Sequence, residues 1–238
     1  MGILAGMGPA AGVDFARLFL QACETCLRAH AQPIRDQAFP EHWLAQVPVV
    51  DRTTALADAS AAQPLDAMSR ALGQLIGLGA RAVAISCNTA HAWHGRLQAI
   101  HAGVQLLHIA DETVAELRRQ GHAQAVLLAT QGTYRMGLYD QAFEVHGVAC
   151  ILPSETERVW LMEGIYQGVK AGDVALAQRR FVEVGAALRA RHGDVPLVMA
   201  CTEIPLALPF APEAAGWTLV DPSAILAMAL ARKAYGLD

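Results

Sequence analysis

The stretch AISCNTAH, residues 84–91, runs from an apolar segment into a cysteine and then a polar turn. VMACTEIP, residues 198–205, repeats the scheme, with 114 residues separating Cys87 from Cys201. A short apolar run bounded by a turn reads as a strand buried on both faces, as in parallel sheets covered by helices. Working outward, further apolar runs are expected as strands at 2–6, 42–50, 104–109, 125–130, 148–153 and 217–222, beside 82–86 and 196–200. Helical spacing of apolar residues marks 9–31, 64–80, 89–102, 110–121, 158–172, 173–193 and 223–236, while QGTYRMG (131–137) reads as a loop. Pro48 weakens the end of the run at 42–50. Strands alternating with helices make this an α/β chain with parallel sheets flanked by helices.

The pattern restarts half-way. ILAGMGP (3–9) aligns with LLATQGT (127–133), each an apolar strand opening into a glycine loop, and AISCNT (84–89) aligns with VMACTE (198–203). The expectation is two pseudo-symmetric α/β domains, 1–102 plus 208–238 and 103–207. Facing halves of this kind put both cysteine-bearing strand ends across one cleft, where open α/β sheets bind ligands beyond the carboxyl ends of their strands.

Composition narrows the classes. The chain has 238 residues, 54% hydrophobic and only 17% charged, enough for a large core and unlike a disordered chain. Mean hydropathy is +0.29, but no apolar run approaches the ~20 residues of a spanning helix. The longest clear run, AILAMALA (224–231), is closed by Arg232 and Lys233. The first strand is expected within the first few residues, so no basic, cleavable leader is expected. A soluble cytoplasmic protein with no membrane association is therefore expected. Net charge is −4 with no basic stripe, which argues against nucleic acid as a partner.

The five cysteines are Cys23, Cys26, Cys87, Cys150 and Cys201, an odd number that argues against a disulfide framework. CETC (23–26) lies inside a helical pattern and reads as buried structural thiols, and no second ligand pair at zinc spacing accompanies it. Cys87 and Cys201 differ from these in context. Each ends a buried strand, and each is followed within two residues by a threonine. Cys87 sits at the expected N-terminus of helix 89–102, where the peptide dipoles favour a thiolate. Asn88 and Thr89 suit capping or direct contact with a carboxylate. A single strand-end cysteine is most often a small core residue; two in matched contexts call for a shared explanation. A nucleophile needs one cysteine and a base, which leaves Cys201 unexplained. Two opposed thiols account for both: a thiolate takes a proton from carbon on one face and a thiol returns one on the other, inverting a stereocentre.

GMGP, DRT, SCNTAH, ATQGT and CTEIP, in this order from Gly6 to about Asp221, resemble the aspartate/glutamate racemase family. The related glutamate racemases usually carry CTHYP at the second cysteine and an Asp-Ser-Gly opening loop, so the resemblance is to the aspartate-racemase branch. It implies a cofactor-independent enzyme, a homodimer, acting on a small acidic amino acid with Cys87 and Cys201 as the acid/base pair. It also implies that Arg52 holds the side-chain carboxylate through a guanidinium fork. Asn88, Thr89, Thr130 and Thr202 would contact the α-carboxylate or amine, Met7 and Gly8 would line the first loop, and Lys170 would reach the distal carboxylate. Lys170 is one of only two lysines beside sixteen arginines, which suits a placed point charge, although a surface lysine is the plainer reading. The chain departs from the family at Val50, where Pro usually precedes DRT, and at Ala5, which follows Leu4 and stands where Gly is common.

Other readings are weaker. GMGPAAG (6–12) has the wrong spacing for a dinucleotide loop, and no acidic residue ends a clear second strand. A pyridoxal-phosphate racemase needs a Schiff-base lysine, and neither Lys170 nor Lys233 has a phosphate-loop setting. No metal site is expected. Broad-specificity racemisation, the decarboxylase and maleate-isomerase reactions of the wider superfamily, and a non-catalytic amino-acid-binding protein remain as alternatives. His91, one helical turn after Cys87, either tunes the thiol or packs; Glu203 repels a thiolate, orients Thr202 or meets the substrate ammonium; Asp51 holds the Arg52 guanidinium in place.

Overall fold

The computed structural model describes residues 1–237. It contains eight strands: β1 (Gly2–Ala5), β2 (Trp43–Gln46), β3 (Ala82–Ile85), β4 (Gln105–Leu106), β5 (Gln124–Ala129), β6 (Ala149–Ile151), β7 (Leu197–Ala200) and β8 (Leu219–Val220). The α-helices are α1 (Pro9–Ala29), α2 (Arg52–Ala57), α3 (Leu65–Gly77), α4 (His94–Ile100), α5 (Ile109–Arg119), α6 (Gln131–Arg135), α7 (Asp140–His146), α8 (Glu155–Glu163), α9 (Val174–His192) and α10 (Pro222–Tyr235). Every strand pairing is parallel. The sheets run β2-β1-β3-β4 and β6-β5-β7-β8, the same order when each is counted from its own first strand. The internal duplication read from the sequence is thus carried by topology.

The chain divides into two compact units. The first is Met1–Glu112 with the segment from Ser223 onward, and the second is Thr113–Pro222. In the first, side chains alternate across the sheet as period-two geometry requires. Leu4, Val83 and Ile85 pack with Met68, Leu72, Leu75 and Leu97 on one face, while Ile3, Ala5, Ala82 and Ala84 pack with Phe15, Phe19, Leu226 and Leu230 on the other. In the second unit Val126, Leu128, Leu197 and Met199 meet Leu161, Phe181, Val184 and Leu188 of α8 and α9. Burying one such aliphatic or aromatic side chain contributes about 1.5–3 kcal/mol, which is why the central strands read as unbroken apolar runs. Among the described residues no helix is long and apolar enough to cross a membrane.

The structure moves several expected boundaries. Residues 103–112 fall in the first unit, since β4 pairs with β3; residues 208–222 fall in the second, since β8 pairs with β7. The expected strands at 104–109 and 217–222 shrink to two paired residues each. The loop QGTYRMG contains α6, and α2 and α7 have no counterpart among the expected helices. The helix expected from Thr89 begins as a five-residue 3₁₀ turn, Thr89–Trp93, before α4. No α-helix N-terminus therefore stands at Cys87, and the dipole argument made for it does not apply.

Candidate active site

In the first unit the site residues gather where β1 and β3 end. Ser86 N–H donates to Leu4 O at 2.9 Å, tying the two strand ends together. Met7 is buried and shares a cluster with Cys87, Ala55 and Ala90. Gly8 follows as the N-cap of α1, its carbonyl accepting from Gly12 N–H at 3.1 Å. The loop can turn here because of Gly6: its φ is +95°, and a Cβ would lie 2.2 Å from Val47 O. Arg52, at the start of α2, is buried at 8% exposure. Its guanidinium donates to Val49 O at 3.2 Å, to Val50 O at 3.1 Å and to Met7 O. These bonds set the plane of the guanidinium. Asp51 caps α2 by accepting from Thr54 N–H at 2.8 Å.

Cys87 is 5% exposed, and its neighbours Asn88 and Thr89 are buried with it. His91 donates from Nδ1 to Cys87 O at 2.9 Å, one turn back along the chain. That bond puts the proton on Nδ1, because a carbonyl only accepts. Burial, then the nearby His108 and His94, hold the ring neutral and pull its pKa down to about 3. The three imidazoles form one cluster: centroids lie 5.8 Å apart for His91 and His94, 5.2 Å for His91 and His108, and 4.8 Å for His94 and His108. Among the described residues no group of His, Cys, Asp and Glu has the arrangement of a metal site.

The second unit gathers its residues where β5 and β7 end. Ala129 and Ala200 are register partners, so the residues that follow, Thr130 and Cys201, leave the sheet at the same edge. Thr130 caps α6, its hydroxyl accepting from Thr133 N–H at 3.2 Å. Cys201 donates from Sγ to Glu203 Oε2 at 3.1 Å. Thr202 donates from its hydroxyl to the same oxygen at 3.2 Å. Lys170 donates from Nζ to the other oxygen, Oε1, at 2.5 Å. The surface-lysine reading of Lys170 gives way here: its side chain is only 26% exposed and it pairs with a buried carboxylate. Burial pushes the Cys201 thiol well up; the Glu203 charge adds to the rise, and Lys170 opposes it.

Lys170 is placed by an irregular segment. After α8 the helix widens into a π-turn, Gly164–Gly168, and tightens into a 3₁₀ turn, Val169–Ala171. Gly164 and Gly168 lie flush on α9, where a Cβ would come within 2.6 Å of Phe181 and 2.7 Å of Ala177. π-turns of this kind often mark functional sites. The sequence spacing of GIYQGVKAG gives no sign of it.

Cys23 and Cys26 fit the structural reading given to CETC. Cys23 and Cys26 are free and buried in α1, and burial pushes Cys23 up to about 11. Cys150, the second residue of β6, is likewise pushed up to about 12 by burial. The residues given too little weight in the sequence are Glu203, whose carboxylate joins Cys201, Thr202 and Lys170, and the pair His94 and His108. Glu203 was visible two positions after Cys201, but its link to Lys170 spans 33 residues and depends on the fold.

Two parallel-sheet units of one topology, each with a thiol within two residues of the end of its third strand, fit an α/β enzyme of the amino-acid racemase class. A profile of the Asp/Glu/hydantoin racemase family matches residues 4–230, and the chain belongs to that family. It is similar to the broad-specificity amino-acid racemase RacX of Bacillus subtilis (strain 168), 27% identical over 213 residues, covering 86% of this chain and 85% of that one. Its fold is similar to that of Picrophilus torridus aspartate racemase, with a TM-score of 0.84 at 24% identity over 99% of this chain and 94% of the other. Glutamate racemase from Francisella tularensis, solved with D-glutamate, gives 0.64 at 14% identity over 99% and 80%.

Proposed function

We propose that this chain racemises an acidic amino acid, aspartate or glutamate, without a cofactor, using Cys87 and Cys201 as a two-base pair. The observation that carries this reading is the matched position of the two cysteines, each within two residues of the end of the third strand of its own four-stranded sheet: Cys201 directly after β7, Cys87 one residue further on from β3, after Ser86. The Cys87 thiolate takes the α-proton, the Cα–H bond breaks, and the electron pair stays on the α-carbon, delocalised into the carboxylate. Cys201 then gives its thiol proton to the opposite face. The product is the other enantiomer, with Cys87 as thiol and Cys201 as thiolate, and exchange with water resets the pair. Roles reverse for the other hand of substrate.

Arg52, its plane fixed by three backbone carbonyls, is assigned the side-chain carboxylate, since a preset fork loses little freedom on binding. Lys170 is assigned the same distal carboxylate. Asn88, Thr89, Thr130 and Thr202 are assigned the α-carboxylate and amine, and Met7 and Gly8 the wall of the first loop. Likeness to RacX favours a second reading in which the substrate range is broader. One methylene in a pocket shifts affinity by only ~1–3 kcal/mol, so aspartate and glutamate need not be sharply separated. A homodimer in the cytoplasm completes the proposal.

The test is incubation of the full chain with L-Asp, D-Asp, L-Glu and D-Glu separately, in D₂O with no added cofactor. Exchange of the α-proton with inversion is expected for at least one pair. Exchange absent from all four, but present with neutral amino acids, would favour the broader reading; binding without any exchange would favour a binding protein.

A further inference from the structure

Glu203 stands at a junction that the proposed two-thiol chemistry does not by itself require. One carboxylate oxygen accepts from the Cys201 thiol at 3.1 Å and from the Thr202 hydroxyl at 3.2 Å, and the other accepts from the Lys170 ammonium at 2.5 Å. The carboxylate is 4% exposed, so these contacts operate away from water, where charges interact strongly. At Cys87 the backbone carbonyl is held by the neutral imidazole of His91. The Cys201 thiol thus meets a buried carboxylate directly.

We propose that Glu203 is a positioning residue that keeps Cys201 protonated at rest, making Cys201 the resting acid of the pair. The proposal rests on the two-thiol reading above. A carboxylate accepting an S–H bond stabilises the thiol and repels the thiolate that would replace it. Lys170 limits the repulsion: its charge neutralises Glu203 in part, so the Cys201 thiolate formed in a turnover is reachable but short-lived. Of the ionisable groups facing Cys201 within its unit, Tyr134 and Tyr139 are pushed upward by burial and stay neutral. Glu203 and Lys170 are then the charges that set its proton. Racemisation has an equilibrium constant of one, so kcat/KM is equal in the two directions. The asymmetry shows instead in the pH dependence and in the separate kcat and KM values of the two enantiomers.

The test uses the full chain and no substrate. Cys201 is alkylated with iodoacetamide from pH 6 to 10, and its rate is read by peptide mass spectrometry. Glu203→Gln is nearly isosteric, so access to the sulfur is kept while the charge goes. A fall of one pKa unit gives about tenfold more thiolate below the transition. The expected result is Cys201 alkylation at least about tenfold faster at pH 8 in Glu203→Gln, parent-like rates in Glu203→Asp, and the alkaline limb of kcat/KM displaced to lower pH. Lys170→Met should act in the opposite sense, slowing alkylation of Cys201 at pH 9. A folded Glu203→Gln whose Cys201 profile coincides with the parent's overturns the proposal. If Glu203→Gln does not fold, an unchanged or faster rate in Lys170→Met does so. Alkylation decides this point even if the chain exchanges no amino acid, an outcome that would defeat the racemase reading instead.

Discussion

Cys87 and Cys201 are buried to the same extent, 5% exposure each, yet they meet different neighbours. Cys201 faces an ion pair through its thiol; Cys87 is approached by His91 through its carbonyl. On the two-base account each sulfur serves one face of the substrate carbon. Cys87→Ser and Cys201→Ser should each lower full racemisation by at least about a thousandfold, since a serine hydroxyl is a far weaker acid than a thiol. Chiral chromatography of either variant after hours in D₂O checks this, and parent-rate inversion of both enantiomers would count against the assignment. His91 carries a second prediction. Its folded pKa of about 3 lies below the ordinary histidine value of 6.5, so the folded state binds the proton less well than the unfolded state. Its contribution to stability is present above pH 6.5 and is lost as pH falls from 6.5 towards 3. His91→Asn should therefore flatten the acid side of the stability curve relative to the parent, as read by thermal unfolding at pH 7.5, 6, 5 and 4. Parallel curves for the two proteins would show that His91 does not titrate on unfolding.

Among the elements, the long ones were legible and the short ones were not. α1, α3 and α9 are long enough for their apolar spacing to show, and β1, β3, β5 and β7 stand out because both faces are buried. α2, α6 and α7 have six, five and seven residues, under two turns, too few for a period to appear. Their signals are caps instead: Asp51 for α2 and Thr130 for α6. The domain boundary was misplaced because β4 and β8, two residues each, join sheets by backbone pairing that side-chain pattern does not reveal. The strand-end positions of the two cysteines were legible because their motifs are local. The Glu203–Lys170 pair and the histidine cluster arise from tertiary contact. At this scale Gly168 offers a test. A Cβ there would come 2.7 Å from Ala177 Cβ and 2.9 Å from its Cα, atoms of α9 that cannot swing aside. Gly168→Ala should cost about 1–3 kcal/mol by overpacking and weaken activity through Lys170. Urea unfolding measures the first and KM for the amino acid the second; an unchanged midpoint would show that the π-turn yields freely.

For the whole molecule, both units repeat one strand order and each contributes one thiol at the matching place. On the two-base proposal, the duplicated sheet is what lets one chain supply two similar groups, one from each unit. The expected homodimer has its own check: sedimentation equilibrium should give twice the 25.3 kDa of the chain, and a single-chain mass at assay concentration would show that one copy suffices. On the proposed reading the substrate anion has the sign of the chain's net charge of −4; salt screens that long-range repulsion and the attraction of Arg52 alike, and a kcat/KM that falls with added salt is the sign that capture by Arg52 outweighs the repulsion.

The measurement that bears most directly on the central claim is the isotope content of both enantiomers at early times in D₂O, starting from protiated substrate. Two thiols working on opposite faces deliver a solvent-derived deuteron to each product molecule, so the product should be almost fully deuterated while unreacted substrate stays protiated. Deuterium appearing equally in substrate and product, or product retaining the substrate's own proton, would mean that one base works both faces, and the pairing of Cys87 with Cys201 would be wrong.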